Sequence, residues 1–279
     1  MTDIIEKQLV GKRADMRLCE DGVFAGGDFI AVIDGVTSKG KQRWKKTGAD
    51  KPDGLSCGGY AKEIILSELE NMPREIEKHD FFRRLDSALS AAYLAEVEND
   101  DITEWLRACI VVYSDFHKQV WSLGDCGCMI NGRAFDSSKK IDSVLAQLRA
   151  FVIEKALKDG LSINQVVEND RGRQAVLPFI NMQLAFENDS SSRFGYGVLN
   201  GHGLNEDFIT VYDIMAGDTV VLASDGYPVL CDTLEKSEGE LEDVLKNDPH
   251  CYKLYPETKG VENGNCSFDD RAYIKFTVR

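Results

Sequence analysis

The hydrophobic positions of the chain follow two periods, and each period predicts its own kind of element. Aliphatic residues at spacings of three and four predict helices at 57–72, 79–98 and 235–245, with two or three more between residues 141 and 188. Apolar runs that alternate or continue unbroken predict strands at residues 13–18, 28–33, 105–114, 118–125, 128–132, 194–201, 207–214, 218–224 and 269–278. Strands lie near both ends of the chain and no linker or repeat divides it, so we expect a single domain over residues 1–279.

Polar stretches separate these elements. Residues 19–27 are rich in turn formers and predict a connection, and the basic stretch 37–54 has no hydrophobic period and predicts an exposed loop. Ser162 is predicted to cap a helix. In the last strand one face is apolar and is predicted to be buried: Ala272, Ile274, Phe276 and Val278.

Composition narrows the classes of partner. A net charge of −14 makes nucleic acids and anionic membranes poor partners, because both carry negative charge. No apolar run reaches the roughly 18 residues that cross a bilayer. The N-terminal residues do not resemble a signal peptide, and the eight cysteines of this long chain suggest reduced thiols, so we expect a cytoplasmic protein.

Carboxylates stand at the ends of several apolar strands. Asp34-Gly35 and Asp225-Gly226 each follow such a strand, and Asp269-Asp270 precedes the last one. Each Asp-Gly pair alone is typical of a turn. If the strands run antiparallel where they meet, however, all three ends fall on one rim. Clustered carboxylates repel one another unless they share a proton or a cation, and oxygen ligands favour Mg²⁺ or Mn²⁺.

Two further acidic positions extend the pattern. Gly124-Asp125 follows the strand predicted at 118–125, and Glu20-Asp21 follows the one predicted at 13–18. Taken together, the ordered set Glu20-Asp21, AVID-Gly35, SLG-Asp125, LASD-Gly226 and Asp269-Asp270 resembles the metal-dependent Ser/Thr protein phosphatases of type 2C, the PPM family. The resemblance covers residues 20–270, nearly the whole chain.

The resemblance implies an α+β fold, a four-layer α-β-β-α sandwich of two antiparallel sheets flanked by helices, with two Mg²⁺ or Mn²⁺ ions at the rim. It implies that Asp34 bridges both ions and that the Gly35 carbonyl binds one of them. It also implies that Asp225 and Asp269 hold the other ion and that Glu20 binds through water. Asp34, Asp225 and Asp269 are thereby also the candidate catalytic residues.

The implied reaction is hydrolysis of phosphoserine or phosphothreonine in a phosphorylated protein. A water between the two ions attacks phosphorus directly, without a covalent enzyme intermediate. The resemblance also implies a third, weaker ion site at Asp125. Asp270 stands where the family has Asn and is expected to lie beside the ligands.

Two positions depart from the family pattern. Many members have a His after the Asp-Gly pair as general acid, whereas residues 36–38 here are Val, Thr and Ser. The family's phosphate-binding Arg lies four residues before the Glu, where this chain has Met16. Arg17, one position away, is our candidate for phosphate binding, although a one-residue shift reverses the face of a strand.

Other functions stay open at this stage. A phosphatase fold that only binds a partner fits the missing His, but not the retained carboxylates. A small phosphorylated metabolite is an alternative substrate. The run Asp34-Gly-Val36 also resembles the nucleophile motif of haloacid-dehalogenase-like phosphatases, but Val36 stands where that motif needs a second carboxylate.

Overall fold

Two antiparallel five-stranded sheets form the centre of the structure, a computed structural model that describes residues 2–37, 39–44, 54–98, 100–135 and 137–279. The strands are β1 (Asp3–Val10), β2 (Asp21–Gly26), β3 (Phe29–Gly35), β4 (Ala108–Ser114), β5 (Gln119–Leu123), β6 (Gly127–Ile130), β7 (Arg133–Phe135), β8 (Thr210–Asp213), β9 (Thr219–Ala223) and β10 (Arg271–Thr277). The helices are α1 (Cys57–Glu70), α2 (Lys78–Glu96), α3 (Lys140–Lys158), α4 (Ile163–Val167), α5 (Arg171–Met182) and α6 (Leu234–Asn247).

One sheet has the strand order β1-β10-β9-β6-β7 and the other β2-β3-β4-β5-β8. The apolar faces of the two sheets meet in a shared core, which contains Ala272, Ile274 and Phe276 of β10 and Val278 directly after it, as the predicted apolar face requires. Helices α1 and α2 cover the outer side of the second sheet through a second core. Helix α6 packs beside β1 on the first sheet. The predicted α+β sandwich of two antiparallel sheets flanked by helices is confirmed.

Helices α3, α4 and α5 pack on one another near the rim of the sandwich. Leu145 of α3 meets Val176 and Ile180 of α5 in a small apolar cluster. Ser162 caps α4 and exchanges hydrogen bonds with Gln165 in a capping box, as its position predicts. Among the described residues, no helix is both long and apolar enough to cross a membrane.

The prediction for the first 30 residues is partly wrong. Residues 13–18 are not a strand. Met16–Leu18 form one turn of 3₁₀ helix, and the Asp15 side chain caps its N-terminus by accepting the backbone N–H of Arg17. The edge strand β1 escaped the pattern because its aliphatic residues, including Ile4 and Ile5, are exposed. The turn-rich segment 19–27 contains β2, which pairs with β3 from Asp21 to Gly26.

The predicted strand at 194–201 is also wrong. Its residues form only isolated bridges, from Leu199 to Ala108 and from Tyr196 to Glu187. The helices predicted at 57–72, 79–98 and 235–245 agree with α1, α2 and α6 to within a few residues.

The exposed loop predicted for residues 37–54 contains a core residue. Trp44 is fully buried, stacks on Tyr60 at a ring distance of 5.4 Å, and forms a bridge with Leu55. A single tryptophan in a polar stretch produces no period, and this explains why the pattern missed it. Ser38 and residues 45–53 of the predicted loop lie outside the described residues.

Replacing Trp44 should therefore destabilise the fold strongly. We expect Trp44→Ala to lower the free energy of unfolding by about 3–5 kcal/mol, the usual cost of removing a buried aromatic side chain. Urea denaturation followed by circular dichroism measures this change. Phe151→Ala is the control, because that side chain is 65% exposed and should change stability by less than about 0.5 kcal/mol. Equal effects of the two variants would place Trp44 on the surface.

Candidate metal centre

Three carboxylates from different strand ends meet at the rim of the sandwich. Asp34 lies at the end of β3, Asp125 follows β5, and Asp225 follows β9 in the opposite sheet. One oxygen from each carboxylate lies within 4.8 Å of the other two. Ligands of Mg²⁺ lie about 2.0–2.1 Å from the ion, so oxygens on opposite sides are roughly 4.2 Å apart. These three residues, here called the carboxylate triad, therefore need only a slight closure to hold one ion.

Two glycines allow other acidic segments to approach the triad. A Cβ atom on Gly35 would lie 2.7 Å from the carbonyl oxygen of Glu20, and one on Gly226 would overlap the carbonyl oxygen of Asp270. Only glycine fits positions where two backbones come this close. The Asp-Gly pairs are thus more than turns, because each glycine brings another acidic segment against the aspartate that precedes it.

Burial and charge repulsion both oppose ionisation of the triad. Burial raises the pKa of Asp34 well above its usual value, and the carboxylates of Asp21 and Asp125 add to the increase. Asp225 has a larger exposed surface than Asp34 and Asp125. Desolvation of its carboxyl nevertheless raises its pKa, and the negative charges of Asp34 and Asp125 raise it further. Negative charge at this position is costly without a positive partner.

Asp125 has a positively charged partner at only one of its two carboxylate oxygens, among the described residues. Burial alone would raise the pKa of Asp125, but the Lys139 ammonium group, 2.7 Å from Oδ2, outweighs burial and lowers it. The other oxygen, Oδ1, is buried and accepts no hydrogen bond from an N–H or O–H group of a described residue, and the neighbouring Cys109 thiol, a weak donor, also helps to lower the pKa of Asp125. A buried carboxylate oxygen that lacks a donor fits coordination of a cation. The donor set of the triad, all oxygen, suits Mg²⁺ or Mn²⁺.

Asp21 adds a fourth charge behind the triad. It pairs with Asp34 across β2 and β3, and only 3% of its surface is exposed. Burial raises its pKa well above the usual value, partly offset by a hydrogen bond from Ser224, and its Oδ2 accepts no hydrogen bond from a described residue. A cation held by the triad would offset this charge too.

The structure places Asp269 in a different environment from the triad. Its Oδ1 lies 2.9 Å from Lys12 Nζ and its Oδ2 lies 2.5 Å from Lys259 Nζ. Burial alone would raise the pKa of Asp269, but the two ammonium groups outweigh it and lower the pKa. Both carboxylate oxygens are therefore engaged by side chains of the protein.

Glu20 and Asp270 are engaged in the same way. Glu20 accepts hydrogen bonds from Ser56 at 2.6 Å, Thr37 at 3.2 Å and Lys12 at 3.2 Å. Asp270 accepts the backbone N–H of Lys12 at 2.7 Å and that of Glu20 at 2.9 Å. The Asp270 carboxylate thus ties the segment after β1 to the segment before β2.

The two remaining predicted site residues, Gly35 and Arg17, make contacts outside the acidic groups described above. The carbonyl oxygen of Gly35 lies against the first turn of α1, where a Cβ atom on Gly58 would come within 2.5 Å of it. The guanidinium of Arg17 pairs with Asp15, with Nε 2.8 Å from Oδ1, and its side chain is 66% exposed. Arg17 therefore faces solvent at the edge of the site.

A cavity of about 410 Å³ lies beside the recess that contains the triad, and most of the charged side chains that line it are basic. We call it the basic cavity; its charged residues are Lys12, Arg13, Arg17, Arg43, Arg173 and Lys259, against Glu20 and Glu262. A smaller recess of about 110 Å³, here called the acidic cleft, contains the triad and Asp269. The two share Thr37, Arg173 and Lys259 on their walls.

Lys39 is the most unusual cation of the acidic cleft. Burial, followed by the positive charges of Arg173 and Lys259, lowers its pKa to about 8, whereas Asp142 acts in the opposite direction. Its ammonium group therefore loses a proton much more readily than an ordinary lysine. The positive charge of Lys139 also lowers the pKa of Lys39.

Sequence reasoning missed the cations of this site. Lys12, Lys39, Lys139 and Lys259 lie in polar segments without a period, and Arg173 lies on a helix far from every motif. The only available signal was the basic composition of residues 37–54, which contain Lys39. A basic stretch in a strongly acidic chain can indicate a local site for an anion.

No protein-family model and none of the curated proteins matches the chain. Among solved structures, it is similar to the serine/threonine phosphatase PstP/Ppp of Mycobacterium tuberculosis, with 15% identity, 98% of this chain and 97% of that chain covered, and a TM-score of 0.48. It is also similar to the PPM Ser-Thr phosphatase MsPP of Mycobacterium smegmatis in complex with cacodylate, with 13% identity, 99% of this chain and 100% of that chain covered, and a TM-score of 0.47. A third similar structure is RsbX in complex with magnesium, with 11% identity, 100% of both chains covered and a TM-score of 0.45. The sandwich described above is the architecture that the resemblance to type 2C phosphatases implies.

Removing the Asp270 carboxylate should destabilise the protein. We expect Asp270→Ala to lower the free energy of unfolding by about 3 kcal/mol, because two buried N–H groups lose their acceptor and the Lys12 ammonium loses one of its three carboxylate partners. Urea denaturation in EDTA measures the change without a contribution from metal. Asp232→Ala removes an exposed carboxylate paired with Lys236 and should cost less than about 0.5 kcal/mol. A loss for Asp270→Ala as small as that of the control would contradict the described hydrogen bonds.

Proposed function

We propose that this protein is a Mg²⁺- or Mn²⁺-dependent phosphatase that hydrolyses phosphoserine or phosphothreonine in a protein substrate. One observation carries the proposal: a carboxylate triad suited to a divalent cation lies beside a basic cavity, in a chain whose net charge is −14. A cation site and an anion site side by side are what hydrolysis of a phosphate ester requires.

The triad is the proposed holder of the catalytic cation. Asp34, Asp125 and Asp225 would supply its oxygen ligands, and the unpaired Oδ1 of Asp125 supports this assignment. When bound, a divalent cation lowers the pKa of a water ligand and offsets negative charge on phosphoryl oxygens. Lys139 keeps Asp125 ionised, and therefore able to bind a cation, through its ion pair.

The basic cavity is the proposed binding site for the phosphate group and the residues around it. Arg173 and Lys259 lie on the walls of both the cavity and the acidic cleft, so their charges can hold a phosphate between the two. Arg173 Nη1 donates to the carbonyl of Thr258 at 3.0 Å, which fixes the orientation of its guanidinium plane. We assign the phosphate-binding role predicted for Arg17 to Arg173, because Arg17 is exposed and paired with Asp15.

Lys39 is the proposed proton donor in place of the missing histidine. Lys39 lines the acidic cleft, and with a pKa of about 8 it carries a proton at neutral pH yet gives it up readily. A proton donor works best when its pKa lies near the operating pH. Protonation of the leaving serine or threonine oxygen by Lys39 would allow the P–O bond to break without releasing an alkoxide.

The reaction would take place in the cytoplasm, as the cysteine usage of the chain suggests. The proposed partner is a phosphorylated protein, and the negative surface outside the basic cavity disfavours nucleic acid.

The direct test is phosphatase activity with added metal. We expect hydrolysis of p-nitrophenyl phosphate and of phosphoserine peptides in Mn²⁺ or Mg²⁺, complete inhibition by EDTA, and recovery when metal is restored. Asp34→Asn and Asp225→Asn should each lower the rate by at least about 100-fold, because each removes a charged ligand. Both variants should stay folded, since each relieves repulsion within the triad.

Asp232→Asn is the matched control and should keep full activity, because its carboxylate is exposed and distant from the triad. Activity that survives EDTA would contradict the metal-dependent mechanism. No activity in any divalent cation would favour a domain that binds a partner without catalysis.

The role of Lys39 predicts a dependence on both pH and leaving group. The rate on phosphoserine peptides should fall as pH rises through about 8, because Lys39 loses the proton that it must donate. Lys39→Met should lower that rate by roughly 100-fold and remove this alkaline limb. Hydrolysis of p-nitrophenyl phosphate should change little, because its leaving group needs no proton.

Lys41→Met, an exposed lysine two residues further on, is the control and should leave both rates unchanged. Equal losses on the two substrates for Lys39→Met would indicate a structural role for Lys39 and exclude it as the proton donor.

A further inference from the structure

The second group of acidic residues at this rim already contains its own cations. Lys12 Nζ lies 2.9 Å from Asp269, 3.2 Å from Glu20 and 3.4 Å from Asp270, and its side chain is only 9% exposed. Lys259 Nζ lies on the opposite oxygen of Asp269, at 2.5 Å. Two ammonium groups carry the same total charge as one divalent ion, and here they occupy the space beside Asp269.

Every carboxylate oxygen of this second group has a hydrogen-bond donor. Asp269 has one lysine on each oxygen, and its Oδ1 also accepts the backbone N–H of Asp270 at 2.9 Å. Glu20 has Ser56 on Oε1, with Thr37 and Lys12 on Oε2. Carboxylates satisfied in this way gain little from a metal ion.

The triad differs in this respect. Asp125 Oδ1 is buried without a donor, and no hydrogen bond from a described residue reaches the carboxylates of Asp34 and Asp225. Within the described part of the chain, the direct ion pair between a triad carboxylate and a protein cation is that of Asp125 with Lys139, whereas Lys259 acts on Asp225 without such a contact. The group around Asp269 therefore has protein donors on all its carboxylate oxygens, whereas the triad still has a buried oxygen without one.

A divalent ion beside Asp269 would have to displace both lysines. Their ammonium groups would lose buried ion pairs and would then lie close to the positive charge of the incoming ion. Retaining the lysines avoids both costs. The local charge favours the arrangement in which they stay.

We propose that this protein binds one divalent cation, at the carboxylate triad, and that the ammonium groups of Lys12 and Lys259 take the place of a second ion beside Asp269. This inference rests on the proposed metal site at the triad. It assigns Asp269 to positioning of the two lysines and removes it from the metal ligands.

The stoichiometry of Mn²⁺ binding tests the inference without any measurement of activity. Isothermal titration of the full chain with Mn²⁺, checked by metal analysis after desalting, should give one ion per chain. Two or more ions would overturn the inference and leave the proposed function intact. No bound ion would overturn the proposed function itself, and with it the inference.

Removing the lysines should open the second site. We expect the double variant Lys12→Met, Lys259→Met to bind two Mn²⁺ ions, because Asp269, Glu20 and Asp270 then lack their internal cations. The matched control is Lys155→Met, Lys236→Met, which removes two exposed lysines paired with Asp159 and Asp232 and should still bind one ion. A folded Lys12→Met, Lys259→Met protein that binds only one ion would contradict the assigned role of the lysines.

A second measurement covers the case in which the double variant does not fold. In the wild-type background, Asp269→Asn should leave one ion bound with affinity changed by less than about threefold, whereas Asp225→Asn should weaken binding by at least about 100-fold. Equal loss of affinity in the two variants would identify Asp269 as a ligand and overturn the inference.

Discussion

Repulsion among carboxylates crowded at one rim of the sandwich is the constraint on which the rest of the site depends. Strand ends from both sheets bring Asp34, Asp125 and Asp225 together, with Asp21 buried behind them. Burial and each added negative charge both make these carboxylates harder to ionise, and the raised pKa values of Asp34 and Asp225 express the two costs. The fold can keep such a cluster ionised only if positive charge is supplied to it.

Positive charge reaches the rim in two ways. On one side, Lys12 and Lys259 are built into the chain and neutralise Asp269 and its neighbours. On the other side, the triad has Lys139 on one of its carboxylates and fits a divalent cation from solution. Lys12 and Lys259 also line the walls of the basic cavity. The cations that hold the acidic residues therefore also supply positive charge to the basic cavity, the proposed phosphate site.

The backbone forces this proximity. Gly35 and Gly226 follow their aspartates at points where another segment comes too close for any Cβ atom, so the Glu20 and Asp270 segments pass directly beside the triad. Asp270 then anchors the backbone of both Lys12 and Glu20. Changes at these supporting positions would act on the site through its geometry, even though they touch no substrate.

Sequence patterns predicted the architecture better than the charges within it. The strands that carry Asp34, Asp125 and Asp225 are strongly apolar, so their ends were visible, and the ordered motifs indicated the two-sheet sandwich. The edge strand β1 and buried Trp44 were missed, because exposed aliphatic residues and a lone aromatic residue give no period. The environment of Asp269 was also out of reach, because Lys12 lies 257 positions away and only the folded chain brings the two together.

The most direct measurement is an anomalous difference map from crystals grown with Mn²⁺. We expect a single strong peak bonded to carboxylate oxygens of Asp34, Asp125 and Asp225, with Lys12 and Lys259 still in contact with Asp269. A map without a peak at the triad would contradict the role of the acidic cluster. A manganese ion bound to Asp269 in place of the two lysines would contradict the way in which charge is balanced at this rim.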